Sequence, residues 1–318
     1  MSAGPPLPQT DKTAPTTAPT TAPTTALATA LPTMRGIAAL RAAVADWRRT
    51  GESVGLVPTM GALHEGHLAL IRQSRADCDR TVASLFVNPT QFNDPKDLKA
   101  YPRDEARDAL MFADAGTDLL YAPAAEEVYR EGFATQVRVA RLGDCLCGAT
   151  RPGHMEGVAT VVAKLLNQVR PDIAYFGEKD FQQLQIIRRM AVDLDLDVTI
   201  AGVATVREPD GLALSSRNLL LTLEQRQAAP ALHQALESAA AELAGGAQGG
   251  GGPAGPAIET ARKAILAAGF AAVDYLELRA EADLAELERA DRPARLFAAA
   301  WLGNVRLIDN LKVTCRAD

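Results

Sequence analysis

From residue 34 the chain alternates between short apolar runs and stretches whose apolar residues recur every three or four positions. The runs are Val54–Thr59, Arg80–Val87, Asp118–Tyr121, Ile173–Phe176 and Val198–Val203. Their apolar positions follow one another without polar alternation, the pattern of strands buried on both faces. Helical spacing covers Ile37–Arg49, Leu68–Ala76, Arg103–Ala115, Gly157–Gln168 and Phe181–Leu194. Gly51 and Gly116 follow two of these where a helix would end. Buried strands alternating with helices predict an α/β fold, a Rossmann-like doubly wound parallel sheet with helices on both faces.

After residue 205 the texture changes. Leu223–Leu243 reads as one long Ala-rich helix, with a further helix near 257–268. Strand-like runs follow at Val273–Arg279, Arg295–Trp301 and Val305–Ile308. The expected division is a Rossmann-like domain over 34–205 that binds nucleotide and substrate, and a smaller C-terminal α+β lid domain over 206–318. Residues 245–256 are Gly-rich and are expected to form a flexible loop inside the second domain. Residues 1–33 carry three tandem Ala-Pro-Thr-Thr units and almost no large apolar residues. Such a segment cannot offset its ordering entropy, so a disordered tail is expected.

Composition narrows the class. At 318 residues and 47% apolar, the chain can build a sizeable core. A net charge of −6 leaves no basic footprint for DNA or RNA. No apolar run is long enough to span a bilayer. The tail lacks the basic start and apolar core of a signal peptide, so a cytoplasmic protein is expected. Four cysteines, Cys78, Cys145, Cys147 and Cys315, are expected as free thiols there. The Cys145-Leu146-Cys147 spacing is wrong for a structural zinc pair.

The polar clusters fall after strand ends, where open α/β sheets bind ligands. Pro58-Thr59-Met60-Gly61-Ala62-Leu63-His64-Glu65-Gly66-His67 leads from a strand into a helix. A helix start offers free N–H groups and a positive dipole end, which suit a phosphate. His64 and His67 are three apart and would share a helix face. A zinc-protease pair needs four. Asn88, with Gln91 three residues on, would clamp a small polar substrate, since an amide both donates and accepts. Lys179 lies in Gly177-Glu178-Lys179-Asp180, at a helix start that disfavours a cation unless an anion is present. Gln183 follows on the substrate side. Ser215, Ser216 and Arg217 supply two hydroxyls and a guanidinium, donors suited to a triphosphate. As bland alternatives, the Asn-Pro run could be an ordinary turn and Ser215 a helix cap.

Taken in order, residues 58–67, 86–93, 101–104, 151–154, 176–183, 214–218 and 306–310 resemble the pantoate–β-alanine ligase family over roughly 34–318. That family belongs to nucleotidyltransferases with a HIGH-type signature. The resemblance implies that pantoate attacks ATP-Mg to give pantoyl adenylate, which β-alanine then converts to pantothenate and AMP. By similarity Met60, Gly61, His64, Gly66, His67, Gly177, Glu178, Lys179, Asp180, Val206, Leu214, Ser215, Ser216 and Arg217 would bind ATP. His64, His67, Lys179, Ser215, Ser216 and Arg217 would be catalytic, with His67 as proton donor. Gln91 and Gln183, with Asn88 nearby, would hold pantoate and β-alanine. Asp108 would neighbour Mg2+ at the ATP phosphates, and a homodimer is implied. Leu214 stands where relatives often have Met, and Arg107 stands where some have an acid. Two other readings are a nucleotidyltransferase that stops at nucleotide transfer and a non-enzymatic nucleotide sensor. The acidic charge disfavours a fragment of a class I synthetase.

Overall fold

The computed structural model describes residues 31–245 and 253–314, together with Met1 and Gly4. The tail expected over 1–33 lies outside the described residues up to 30, as do 246–252 of the Gly-rich run and Cys315. The sheet begins inside the stretch assigned to the tail, at β1 (Thr33–Met34), which pairs with a later strand.

The strands β2 (Val54–Thr59), β3 (Arg80–Leu85), β4 (Leu119–Tyr121), β5 (Ile173–Gly177) and β6 (Thr199–Val203) complete a six-stranded parallel sheet ordered β1-β4-β3-β2-β5-β6. Its side chains divide by the two-residue period of a strand. Val54, Leu56, Val82, Leu119, Tyr121, Ala174 and Phe176 pack with the helices Ile37–Arg49, His154–Val169 and Phe181–Asp193. Val57, Ala83, Leu120 and Tyr175 face the helices Glu65–Asp77 and Glu105–Asp114 through Leu70, Ile71 and Phe112. Both faces are covered, so the strands read as continuous apolar runs.

From β2 the chain steps outward through β3 and β4. It then crosses back to place β5 on the other side of β2. The topological switch therefore lies between β2 and β5, and the loops leaving these two strands diverge around one crevice.

The C-terminal part differs in detail from its sequence pattern. The expected helix Leu223–Leu243 is two, Leu223–Ala228 and Ala231–Ala244. Pro230 has no N–H to give the carbonyl one turn back, so the helix stops and restarts. The helix expected near 257 starts at Ala254, inside the Gly- and Pro-rich run. Pro256 falls in its first turn, where a missing N–H costs nothing. The strands β7 (Ala272–Ala280), β8 (Ala294–Leu302) and β9 (Val305–Val313) form an antiparallel sheet with β8 in the middle.

Alternation along β8 ties this sheet to both neighbours. Leu296, Ala298 and Ala300 join the core formed with the helices Ala231–Ala244 and Ala254–Ala267. Phe297 and Ala299 join the core of the large sheet beside Met155 and Phe181. The small sheet thus packs against the large one and walls the crevice. No helix among the described residues is long and apolar enough to cross a membrane.

Candidate active site

The chain leaves β2 through a turn in which both Gly61 (φ +85°) and Ala62 (φ +52°) are left-handed. It then enters the helix Glu65–Asp77 with His64 as the capping residue, its backbone extended. His64 Nδ1 accepts from Gly66 N–H at 3.1 Å, and His67 Nδ1 accepts from His64 N–H at 3.3 Å. The two rings lie 4.1 Å apart, centre to centre. They come together as a capping box, not as neighbours on one helix face as the spacing alone suggested.

Because a backbone N–H only donates, both Nδ1 atoms must be unprotonated. Each neutral imidazole therefore carries its proton on Nε2. Burial, with Lys179 nearby, lowers the His64 pKa to about 4. Burial, then His64 and Lys179, lowers that of His67 to about 3. At neutral pH the site presents two neutral N–H donors.

These rings line a cavity of about 200 Å3 at the switch point, together with Lys179, Asp180, Gln183, Ser215, Ser216 and Arg217. It shares Lys179, Asp180, Ser215 and Arg217 with a cleft of about 960 Å3 that reaches the small sheet at Trp301, Arg306 and Asp309. Lys179 Nζ lies 3.6 Å from Asp180. Ser215 Oγ caps the turn Ser216–Leu220 by accepting from Arg217 N–H. The Arg217 guanidinium meets Asp97 at 3.2 Å, with both side chains partly exposed.

Gly66, Gly177, Val206 and Leu214 also line the small cavity. Val206 receives Leu214 N–H at 3.0 Å, which pins the segment before the serines. Met60 reaches the neighbouring substrate segment, its sulfur accepting from Gln91 Nε2 at 2.9 Å.

Three expected site residues are engaged by protein partners, and Ser216, which lines the cavity, commits its hydroxyl proton to the protein. Asn88 is 1% exposed and saturated. Its amide nitrogen donates to Gln91 Oε1 and the Gly157 carbonyl, and its oxygen accepts from Thr90 and Tyr129. It positions Gln91 and has no free group for a substrate. Glu178 turns its carboxylate onto Arg295, 3.3 Å away on β8, instead of into the cavity. Ser216 gives its hydroxyl proton to the Ala62 carbonyl at 3.1 Å. Asp108 is 1% exposed and accepts from Ala62 N–H and Leu63 N–H at 2.9 and 3.0 Å. Among the described residues no three His, Cys, Asp or Glu side chains assemble as metal ligands. Both carboxylate oxygens of Asp108, expected beside Mg2+, are thus engaged by the turn that precedes His64.

Several further contributors were given no role from the sequence, although Tyr101, Arg151, His154, Phe176 and Asn310 lie in its recognised segments. Tyr101, Tyr175, Phe176, Ala204 and Thr205 line the cavity. Ala204 and Thr205 follow β6 as the recognised clusters follow their strands, so strand-end position was the usable clue. His154 Nδ1 donates to the Gln91 carbonyl at 2.8 Å, and Arg151 reaches His154 Nε2 at 3.1 Å. Burial and then Arg151 lower the His154 pKa to about 4, keeping the ring neutral. Asn310 donates to the Glu178 and Lys179 carbonyls at 2.9 Å each, fastening the β5 loop to β9.

Three histidines held neutral make the fold acid-sensitive. Their folded pKa values lie below the ordinary 6.5. Between pH 6.5 and about 4 the unfolded chain therefore binds more protons, and stability is lost as the pH is lowered. With allowance for solvent screening of half-buried His64, the slope near pH 5 is expected to reach about 3 kcal/mol per pH unit. Urea unfolding at pH 7, 6 and 5 reads it, and a flat stability would show that the rings are not held neutral.

Comparison with known proteins adds to this geometry. The family model for pantoate-beta-alanine ligase matches residues 32–312. The pantothenate synthetase of Chelativorans sp. (strain BNC1) is 57% identical over 282 residues, 89% of this chain and 98% of that protein. That of Cereibacter sphaeroides (strain ATCC 17029) is 56% identical over 283 residues, 89% and 99%. Among solved structures, pantothenate synthetase from Thermus thermophilus superposes with a TM-score of 0.82 at 48% identity, covering 89% of this chain and 99% of that one. The pantoate-beta-alanine ligase of Francisella tularensis, complexed with beta-gamma ATP and beta-alanine, gives 0.75 at 31%, covering 89% and 98%.

Proposed function

The chain belongs to the pantoate–β-alanine ligase family and joins pantoate to β-alanine, and we propose that it does so through a pantoyl adenylate made from ATP in the cavity between β2 and β5. The observation that carries this reading is the donor set of that cavity. Two neutral imidazole N–H groups, the Lys179 ammonium, the Ser215 hydroxyl and the Arg217 guanidinium converge beside Gln183.

In the first step a pantoate carboxylate oxygen attacks the α-phosphorus of ATP and pyrophosphate leaves. Negative charge builds on the phosphate oxygens, and fixed donors stabilise it without reorganising. His64 and His67 serve through Nε2–H. Lys179, Ser215 and Arg217 hold the β- and γ-phosphates. In the second step the β-alanine amine attacks the acyl carbon, AMP leaves and the amine loses a proton. Gln91 and Gln183 orient pantoate through both steps by amide donors and acceptors. Gln91 is well suited because Asn88, Met60 and His154 hold it from three sides.

An acyl adenylate is prone to hydrolysis, so the site must exclude water. The Ser215–Arg217 segment is suited to act as a lid. Its exposed Arg217–Asp97 pair is of the kind that contributes little and opens readily. The homodimer and the cytoplasmic location belong to the same reading and are supported by the family alone.

Purified protein with ATP, Mg2+ and pantoate is expected to exchange pyrophosphate into ATP without β-alanine. AMP is expected only after β-alanine is added. Exchange that requires β-alanine would overturn the adenylate route.

A further inference from the structure

The turn that delivers both histidines is strained and is held from outside. Gly61 and Ala62 are consecutive left-handed residues, and Ala62 carries a Cβ that disfavours this conformation. Three hydrogen bonds clamp it. Asp108, in the first turn of the helix Glu105–Asp114, accepts from Ala62 N–H through Oδ2 at 2.9 Å and from Leu63 N–H through Oδ1 at 3.0 Å. Ser216 donates to the Ala62 carbonyl at 3.1 Å. The fit leaves no slack, since a Cβ on Gly61 would stand 2.7 Å from Asp108 Oδ2 and 2.7 Å from Leu85 Cδ1.

The resemblance by sequence implied ATP-Mg and, with it, a magnesium role for this carboxylate. The surroundings do not fit one. Mg2+ demands near-octahedral oxygen ligands at about 2.0–2.1 Å and keeps several waters. Asp108 is 1% exposed, with an N–H on each oxygen.

We propose that Asp108 is a positioning residue and not a magnesium ligand: it holds the left-handed Gly61–Ala62 turn that aims the Nε2–H edges of His64 and His67. The Ser216 bond brings the lid segment onto the same peptide, so lid and histidines share one anchor. The inference rests on the proposed role of the two imidazoles.

Asp108→Asn tests it. The new amide nitrogen meets one of the two N–H groups donor to donor. The kcat is expected to fall about 100-fold, as for a misplacement of about 1 Å, with little change in KM for ATP. The Mg2+ concentration for half-maximal rate at fixed ATP stays unchanged. A wild-type kcat in the variant would remove the positioning role. A raised Mg2+ requirement with rate restored at high Mg2+ would make Asp108 a ligand.

A measurement on the unaltered enzyme stands apart from activity and from the folding of any variant. Amide hydrogen exchange at Ala62 and Leu63 is expected to stay protected when ATP and Mg2+ are added. Loss of that protection would mean that the carboxylate leaves the turn for the metal, and would overturn the proposal. Exchange reads the turn whatever the histidines do, so a failed adenylate reading would not be mistaken for a failed clamp.

Discussion

A His67→Gln enzyme is expected to keep near-wild-type stability while its pantoate-dependent ATP–pyrophosphate exchange falls by about 10²–10³-fold. The two effects separate because His67 does two jobs with two nitrogens. Its Nδ1 closes the capping box by accepting from His64 N–H. Glutamine is a standard residue at this third helical position and supplies an acceptor there. What it cannot supply is a rigid ring with an N–H on the opposite edge. His67→Ala removes both functions and is expected to lose about 1 kcal/mol of stability as well. Thermal unfolding beside the exchange assay reads the pair. A His67→Gln enzyme with undiminished exchange would take the imidazole out of the mechanism, and equal destabilisation in both variants would deny the capping role.

Gly157→Ala is expected to raise the KM for pantoate about 100-fold with little effect on ATP binding, by displacing the substrate segment. Gly157 lies in the helix His154–Val169 where it crosses the turn Pro89–Gln91. A Cβ there would fall 2.5 Å from the Thr90 carbonyl oxygen, 2.7 Å from its carbon and 2.9 Å from Gln91 N. These are backbone atoms, with no flexible side chain to swing aside. Asn88 also donates to the Gly157 carbonyl at 3.1 Å, so helix and turn would have to separate against that bond. Overpacking of this kind costs about 1–3 kcal/mol in stability. Steady-state kinetics with each substrate varied in turn decides the matter. An unchanged pantoate KM in a folded variant would show that Gln91 is not set by this contact.

The same contact shows why the site was only partly legible in the sequence. Asn88 and Gln91 stand in one polar run and have the same chemistry. Nothing local says that Asn88 ends 1% exposed with its amide spent on protein partners, while Gln91 is left half-buried. Asp108 is the same case, an acid in a polar stretch whose two acceptors are claimed by a turn 45 residues earlier. Glu178 was grouped with Lys179 as an ATP ligand, and its partner Arg295 stands 117 residues further on, on β8. Burial and pairing are long-range properties, and a motif lists only the donors that a site could use. Local punctuation could have served better at Pro230, which ends a helix wherever it falls inside one.

By itself, the sequence determined what short-range physics controls. Strand runs buried on both faces and helices at 3.6-residue spacing required a parallel sheet with covered faces. The placement of His64, Lys179 and their neighbours after strand ends put them on one side of it. Tertiary structure alone decided which of those groups face the cavity. It also turned the histidine pair into a capping box whose free edges carry the proton. The physical reason is that a buried polar group must find a partner, and the partner's distance along the chain is set by the fold.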